Sequence, residues 1–149
     1  MSDSPVLRSL PGQRWEGIDL LDYKPSGSAP FKSISRQVLI GDDTLACELR
    51  YFEIAAGGHS TLERHEHAHG VLVLSGRGAC LVGRDVAPIG VQDLVRIPPW
   101  TWHQFRADPD SALGFLCMVN RERDRPVLPT ESDLEALRAD PAIAAFVRP

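Results

Sequence analysis

Between residues 33 and 122 the apolar positions fall in short runs rather than long helical stripes: "SRQVLIG", "LACELRYFEIA", "GVLVLSG", "ACLVG", "DLVRIPP", "HQFRA" and "ALGFLCMVN". These runs are rich in β-branched and aromatic residues. They are separated by "AAGG", "SGRG", "VGRD" and "ADPDS", where Gly, Pro and Asp favour turns. Short strands at this spacing predict an all-β antiparallel barrel or jelly roll. The flanks follow other patterns. Residues 1–32 are rich in Pro, Gly and Ser around two aromatic anchors, Trp15 and Tyr23, and predict an arm that packs on the barrel or on a second subunit. Residues 123–149 turn helical. Thr130 with Asp133 three positions on is a capping signal, Leu134 and Leu137 follow at helical spacing, and a second short helix after Pro141 carries Ile143, Phe146 and Val147. The expected organisation is an arm (1–32), a barrel (33–122) and a helical tail packed on it (123–149).

A chain of 149 residues that is 43% hydrophobic has the size and apolar content of one domain with its own core. Its formal charge of −4 is dispersed, without basic blocks, which argues against nucleic acid and anionic membranes as partners. No run of about 18 apolar residues occurs, and "MSDSPVLRSLPGQRW" lacks the features of a signal peptide, so a cytoplasmic location is expected. Cys47, Cys80 and Cys117 are odd in number and form no CxxC pair, and are read as free thiols.

One stretch departs from the barrel pattern. "TLERHEHAHG" sets Glu63, His65, His67 and His69 at alternate positions, which in a strand share one face. Imidazole and carboxylate together suit a divalent first-row metal such as Mn, Fe, Ni, Co or Zn. Downstream, "DLVRIPPWTWHQF" adds His103, five residues after Pro98.

Together the two stretches resemble the paired motifs of the cupin superfamily, over roughly residues 35–120. Gly57 and Gly76 bound the first motif, and Gly90, Asp93, Pro98 and His103 form the second, with Trp100 where the family usually has Gly. Counted without gaps, Glu63 stands at the family's first His, His65 at its second and His69 at its Glu. A register with two residues deleted makes His65 and His67 the His-x-His pair. In both registers the resemblance implies His65, His69 and His103 as metal ligands. Glu63 and His67 compete for the remaining place, or one of them orients a ligand.

The fold alone hosts many chemistries. Trp100, Trp102, Phe52, Phe105 and Phe115 are candidates for an apolar pocket wall, and Arg50, Arg96 and Arg106 for a phosphate or carboxylate on a small-molecule substrate. Cys117, in "LGFLCMVN", is either a buried small hydrophobe or a nucleophile activated by a nearby metal or cation. A closer resemblance rests on Ser60 to His69, Pro98 to Phe105, Gly114 to Cys117 and Arg123 to Pro126. It points to small bacterial cupins of the methylthioxylulose phosphate methylsulfurylase type. That resemblance implies a sulfur-salvage transferase in which a metal, foremost manganese, and glutathione remove the methylthio group of a sugar phosphate, with Cys117 as the catalytic thiol. A mononuclear iron dioxygenase and a non-enzymatic ligand binder are the alternatives. Small cupins often exchange arms across a two-fold axis, so a homodimer is expected.

Overall fold

A computed structural model of the chain describes residues 4–25, 27 and 29–149. Among the described residues, ten strands and two helices follow in order: β1 (Ser9–Leu10), β2 (Arg14–Trp15), β3 (Leu21–Asp22), β4 (Lys32–Ile40), β5 (Cys47–His59), β6 (His69–Val82), β7 (Asp85–Gly90), β8 (Leu94–Ile97), β9 (His103–Ala107), β10 (Leu113–Asn120), α1 (Glu131–Arg138) and α2 (Pro141–Phe146). The pairings are antiparallel, and the ladder β10–β6–β9–β5 closes on itself because β10 also pairs with β5. The all-β barrel expected from the sequence is therefore present.

Two of the expected turns are not turns. "AAGG" lies inside β5 and "SGRG" inside β6. Each strand bends at a glycine in the left-handed region, Gly57 (φ 75°) and Gly76 (φ 71°), and passes from one side of the barrel to the other. Up to Gly76, β6 pairs with β10 and, at its start, β8; beyond Gly76 it pairs with β9 and β7. The constraint at Gly76 is steric as well as conformational, since a Cβ there would sit 1.7 Å from the Ala112 carbonyl oxygen. Strand β7 was not among the expected runs. It contains Pro88, which a strand tolerates at a sheet edge, and among the described residues β6 is its one strand partner.

Apolar side chains alternate with polar ones and sort into two cores. Inside the barrel, Phe52, Val71, Val73, Phe105 and Phe115 pack together; outside it, Leu62 and Leu81 meet Leu134, Leu137, Ile143 and Phe146 of the two helices. Helix α1 starts at the expected capping box, with the Thr130 hydroxyl accepting from the Asp133 N–H and the Asp133 carboxylate accepting from the Thr130 N–H. The N-terminal arm packs on its own barrel: Trp15 meets Tyr51 at 5.1 Å between ring centroids, β3 adds to β4, and Tyr23 packs edge-on against Phe31 and Phe52.

Candidate metal centre and pocket

Beyond β5 the chain runs back along β9. The Ser60 N–H donates to the Phe105 carbonyl at 2.9 Å, and Glu63 and His103 exchange backbone bonds of 3.2 and 3.0 Å. Residues 65–68 then cross to the start of β6. This path delivers His65 from a loop, His69 from the first position of β6 and His103 from the first position of β9. Of the four alternating residues only His69 lies in one of these strands, so the shared strand face that the spacing would give does not form.

The three imidazoles form a regular triangle with each pair of ring centroids 4.9 Å apart, and their nearest donor atoms all lie within 4.8 Å of one another. Every Nδ1 has a partner: the His67 carbonyl for His65 at 2.7 Å, the Thr101 carbonyl for His103 at 2.9 Å, and Cys117 Sγ for His69 at 3.4 Å. A carbonyl only accepts, so Nδ1 of His65 and of His103 carries the hydrogen and Nε2 keeps its lone pair. His69 Nε2 is buried without a hydrogen-bond partner. Burial, reinforced by the mutual proximity of the rings, lowers the pKa of His65 and pushes that of His103 down to about 4 and that of His69 to about 2. Three neutral rings offering lone pairs, one of them buried and unpartnered, fit a divalent cation of the first transition row.

Trp100 explains how the loops hold this shape. It occupies the left-handed region (φ 56°), the conformation that suits the glycine usual at this place in the family motif, and its N–H donates to the His65 carbonyl at 2.7 Å. The hydrogen bond ties the loop before β9 to the loop that carries His65 and offsets part of the strain of that backbone conformation, about 1–2 kcal/mol. The side chain is half exposed and outside the pocket.

Glu63 and His67 both line the pocket but stand outside the triangle. The buried Glu63 carboxylate receives Lys24 Nζ at 2.5 Å. The His67 ring stacks on His65, parallel within 1° at 3.7 Å, while its Nδ1 meets Asp124 Oδ1 at 2.6 Å. Asp124 also accepts the backbone N–H groups of Glu66 and His67, fixing the loop.

The triangle sits in the wall of a cavity of about 270 Å³. Cross-strand register sets its other walls. Arg36 of β4 lies opposite Phe52 of β5, which lies opposite Phe115 of β10; one row over, Arg50 lies opposite Cys117, which lies opposite Val71. Residues opposite each other share a face, so Arg36, Arg50 and Cys117 all point inward. Cys117 is 5% exposed, and burial pushes its thiol up to about 12, with Arg50 pulling the other way.

Of the residues singled out in the sequence, Phe52, Phe105, Phe115, Arg50 and Cys117 line this cavity. Arg96 is exposed on β8, and Arg106 lies outside, donating to the Phe146 carbonyl at 2.8 Å and covering its ring. Trp102 instead takes Arg64 over its ring at 4.5 Å and joins the outer core. Sequence reasoning missed Arg36, Arg123, Tyr23 and Lys24, which also line the cavity. A signal for Arg36 was present: it alternates with Ile34 and Val38, so it occupies an apolar-face position. The Tyr23 hydroxyl bonds Thr61, and burial followed by the nearby Glu63 carboxylate raises its pKa well above the ordinary value.

Comparison with known proteins agrees with this geometry. A cupin domain family model matches residues 50–119. Over 147 residues, 98% of this chain and 94% of the relative, the sequence is 65% identical to a Rhodospirillum rubrum protein named 1-methylthio-D-xylulose 5-phosphate methylsulfurylase. A crystal structure of a cupin 2 conserved barrel domain protein from Rhodopseudomonas palustris is 51% identical, with a TM-score of 0.92 over 97% of this chain and 99% of that one. A cupin-2 domain crystal structure from Rhodospirillum rubrum is 63% identical, with a TM-score of 0.86 over 93% and 94% of the two chains.

Proposed function

The chain belongs to the cupin family, and from that premise we propose that it is a metal-dependent sulfur-salvage enzyme. Its substrate in this reading is 1-methylthio-xylulose 5-phosphate and its product 1-deoxyxylulose 5-phosphate. The observation that carries the reading is Cys117 Sγ, 3.4 Å from His69 Nδ1 in the wall of a cavity that Arg36, Arg50 and Arg123 also line. A thiol, a metal site and cations for a phosphate are the three requirements of the chemistry, and the relative 65% identical to this chain bears the corresponding name.

His65, His69 and His103 hold the metal in this proposal. Glu63 completes the set, because it needs no gap in the motif, and His67 braces His65 with Asp124 behind it. Manganese is the first choice of metal. Bound there, it supplies Lewis-acid stabilisation of charge that develops on the ketose oxygens. The Cys117 sulfur attacks the sulfur of the methylthio group. The bond from that sulfur to C1 breaks, its electron pair passes into the ketose as an enolate, and a proton delivered to C1 gives the methyl ketone. Cys117 is left as a mixed methyl disulfide. Glutathione then displaces it, returning the Cys117 thiol and leaving as glutathionyl methyl disulfide, so that one thiol and one thioether yield one disulfide and one C–H bond. When His69 uses Nε2 for the metal, its Nδ1–H donates to Cys117 Sγ and favours the thiolate against its burial.

A glutathione partner and three free cysteines fit a reducing cytoplasm. We further propose a homodimer formed across the outer sheet face, where Leu94 and Met118 are exposed. The test is to supply the metal-loaded protein with the methylthio sugar phosphate and glutathione under argon. Stoichiometric 1-deoxyxylulose 5-phosphate and glutathionyl methyl disulfide are expected, and turnover without oxygen also excludes a dioxygenase. Absence of both products overturns the reading.

A further inference from the structure

The cavity is electrically lopsided away from the histidines. Arg36, Arg50 and Arg123 line it, while Glu48 is the carboxylate that answers them. Glu48 Oε2 accepts Arg50 Nε at 2.8 Å and a terminal Arg50 nitrogen at 2.5 Å, and lies 3.5 Å from an Arg123 terminal nitrogen. The remaining acids of the wall are engaged elsewhere: Glu63 holds Lys24 and Asp124 holds His67. Arg36 feels the Glu48 charge only at a distance, without the direct contact that Arg50 and Arg123 make with it. Its Nε is buried with no hydrogen-bond partner, and burial followed by the neighbouring Arg50 guanidinium lowers its pKa. A buried guanidinium nitrogen without an acceptor costs free energy unless a ligand supplies one.

We propose that Arg36, backed by Arg50, is the specificity-determining residue that binds the phosphate of a phosphorylated ketose in this cavity; the proposal rests on the function proposed above. Three points carry it. Arg36 stands in the row of Phe52 and Phe115, one row from Cys117, so a ligand reaching from Arg36 toward Cys117 crosses the apolar floor those rings provide. Three guanidiniums set against the carboxylates of Glu48 and Asp124 leave the wall with an excess of positive charge that suits a phosphomonoester. Arg50 is already fixed by Glu48 through two hydrogen bonds, so it presents its charge without reorganising, while Arg36 keeps a free donor to form a fork with phosphate oxygens.

Calorimetric titration of the metal-loaded protein with xylulose 5-phosphate and with xylulose, neither of which carries the reacting methylthio group, tests this without turnover. Wild type is expected to favour the phosphorylated sugar by about 100-fold or more. Arg36→Met should reduce that preference by about 10- to 100-fold, leaving xylulose affinity and metal content unchanged. Arg36→Lys, which keeps the charge but loses the fork, should fall between. Arg96→Met on the outer face should match wild type. A wild type that does not discriminate between the sugars overturns the sugar-phosphate reading itself. A wild type that discriminates and an Arg36→Met variant that discriminates equally well overturn the assignment of Arg36 alone. If Arg36→Met is misfolded, the preference measured for Arg36→Lys decides: undiminished, it overturns the assignment, and reduced, it supports it.

Discussion

The two faces of the barrel wall that contains β9 carry cores of opposite character. Leu62 and Glu63 are neighbours in the chain, yet Leu62 enters the outer core with Leu81, Leu134, Leu137 and Ile143, while Glu63 turns into the cavity. The outer core buries one large polar side chain, Gln104, and satisfies it fully: its Nε2 donates to the Ser60 and Arg148 carbonyls at 2.9 and 2.7 Å, and its Oε1 accepts the Arg148 N–H at 2.9 Å. Across the cavity, His69 Nε2 and Arg36 Nε are buried without partners, whereas the one such atom beside the outer core among the described residues, Arg64 Nε, belongs to a guanidinium laid over the Trp102 ring. Stability is concentrated on the helix side and unspent binding capacity on the cavity side, the division expected where a site gives up stability for function.

If the division is real, substitutions should separate the two properties. Cys117→Ser should lower turnover by about a thousandfold or more, with metal content unchanged by elemental analysis and the unfolding midpoint close to wild type. Full activity in that variant would remove the thiol mechanism. On the opposite face, Leu137→Ala should cost about 2–5 kcal/mol in urea unfolding, while kcat and metal stoichiometry of the folded protein stay within about twofold. His103→Ala should weaken metal binding by at least about 100-fold, more than the loss of an orienting partner does. Its metal-free form should unfold at nearly the wild-type midpoint, because the side chain removed belonged to a cluster that was not optimised for stability. A His103→Ala protein as destabilised as Leu137→Ala would erase the contrast.

Acid sharpens it further. The folded pKa values of His65, His69 and His103 lie below the ordinary 6.5, with His103 at about 4. The unfolded chain therefore binds more protons than the folded one in the window from about pH 6.5 down to about 4, and the stability that neutral histidines contribute above 6.5 is lost as pH falls through it. Metal-free protein should lose stability across that window. A His65→Gln, His69→Gln, His103→Gln triple variant should show a flatter profile by thermal unfolding, and an equally steep one would place the acid sensitivity elsewhere.

How much of this was legible in the sequence follows the same division. The strands, the capping box and the outer-core leucines were readable because period and turn chemistry are local. Continuity through Gly57 and Gly76 was not, since a glycine pair reads alike as a turn and as a bend within a long strand. The three converging histidines were singled out through the family motif; two of them sit at strand starts and one in a loop, so strand alternation is not what brings them together. Arg96 and Arg106 could have been set aside from parity alone: Arg96 alternates with buried Val95 and Ile97, and Arg106 with buried Phe105 and Ala107. Tyr23 and Lys24 were not readable as cavity residues, because no local pattern says where an arm will lie.

The smallest expected effect belongs to the best-read feature. Thr130 caps α1 in a two-way exchange with Asp133, and α1 presents Leu134 and Leu137 to the outer core. Thr130→Ala leaves the Asp133 N–H without its acceptor and should cost about 1 kcal/mol. The midpoint of urea unfolding should drop by that amount with its slope unchanged, because the same surface is exposed. Metal affinity and turnover should not move, since the α1 leucines pack in the outer core, on the face turned away from the cavity. A Thr130→Ala protein that lost metal or activity would mean that the two faces are coupled, with the helices positioning β9 and therefore His103 rather than only sealing the wall behind it.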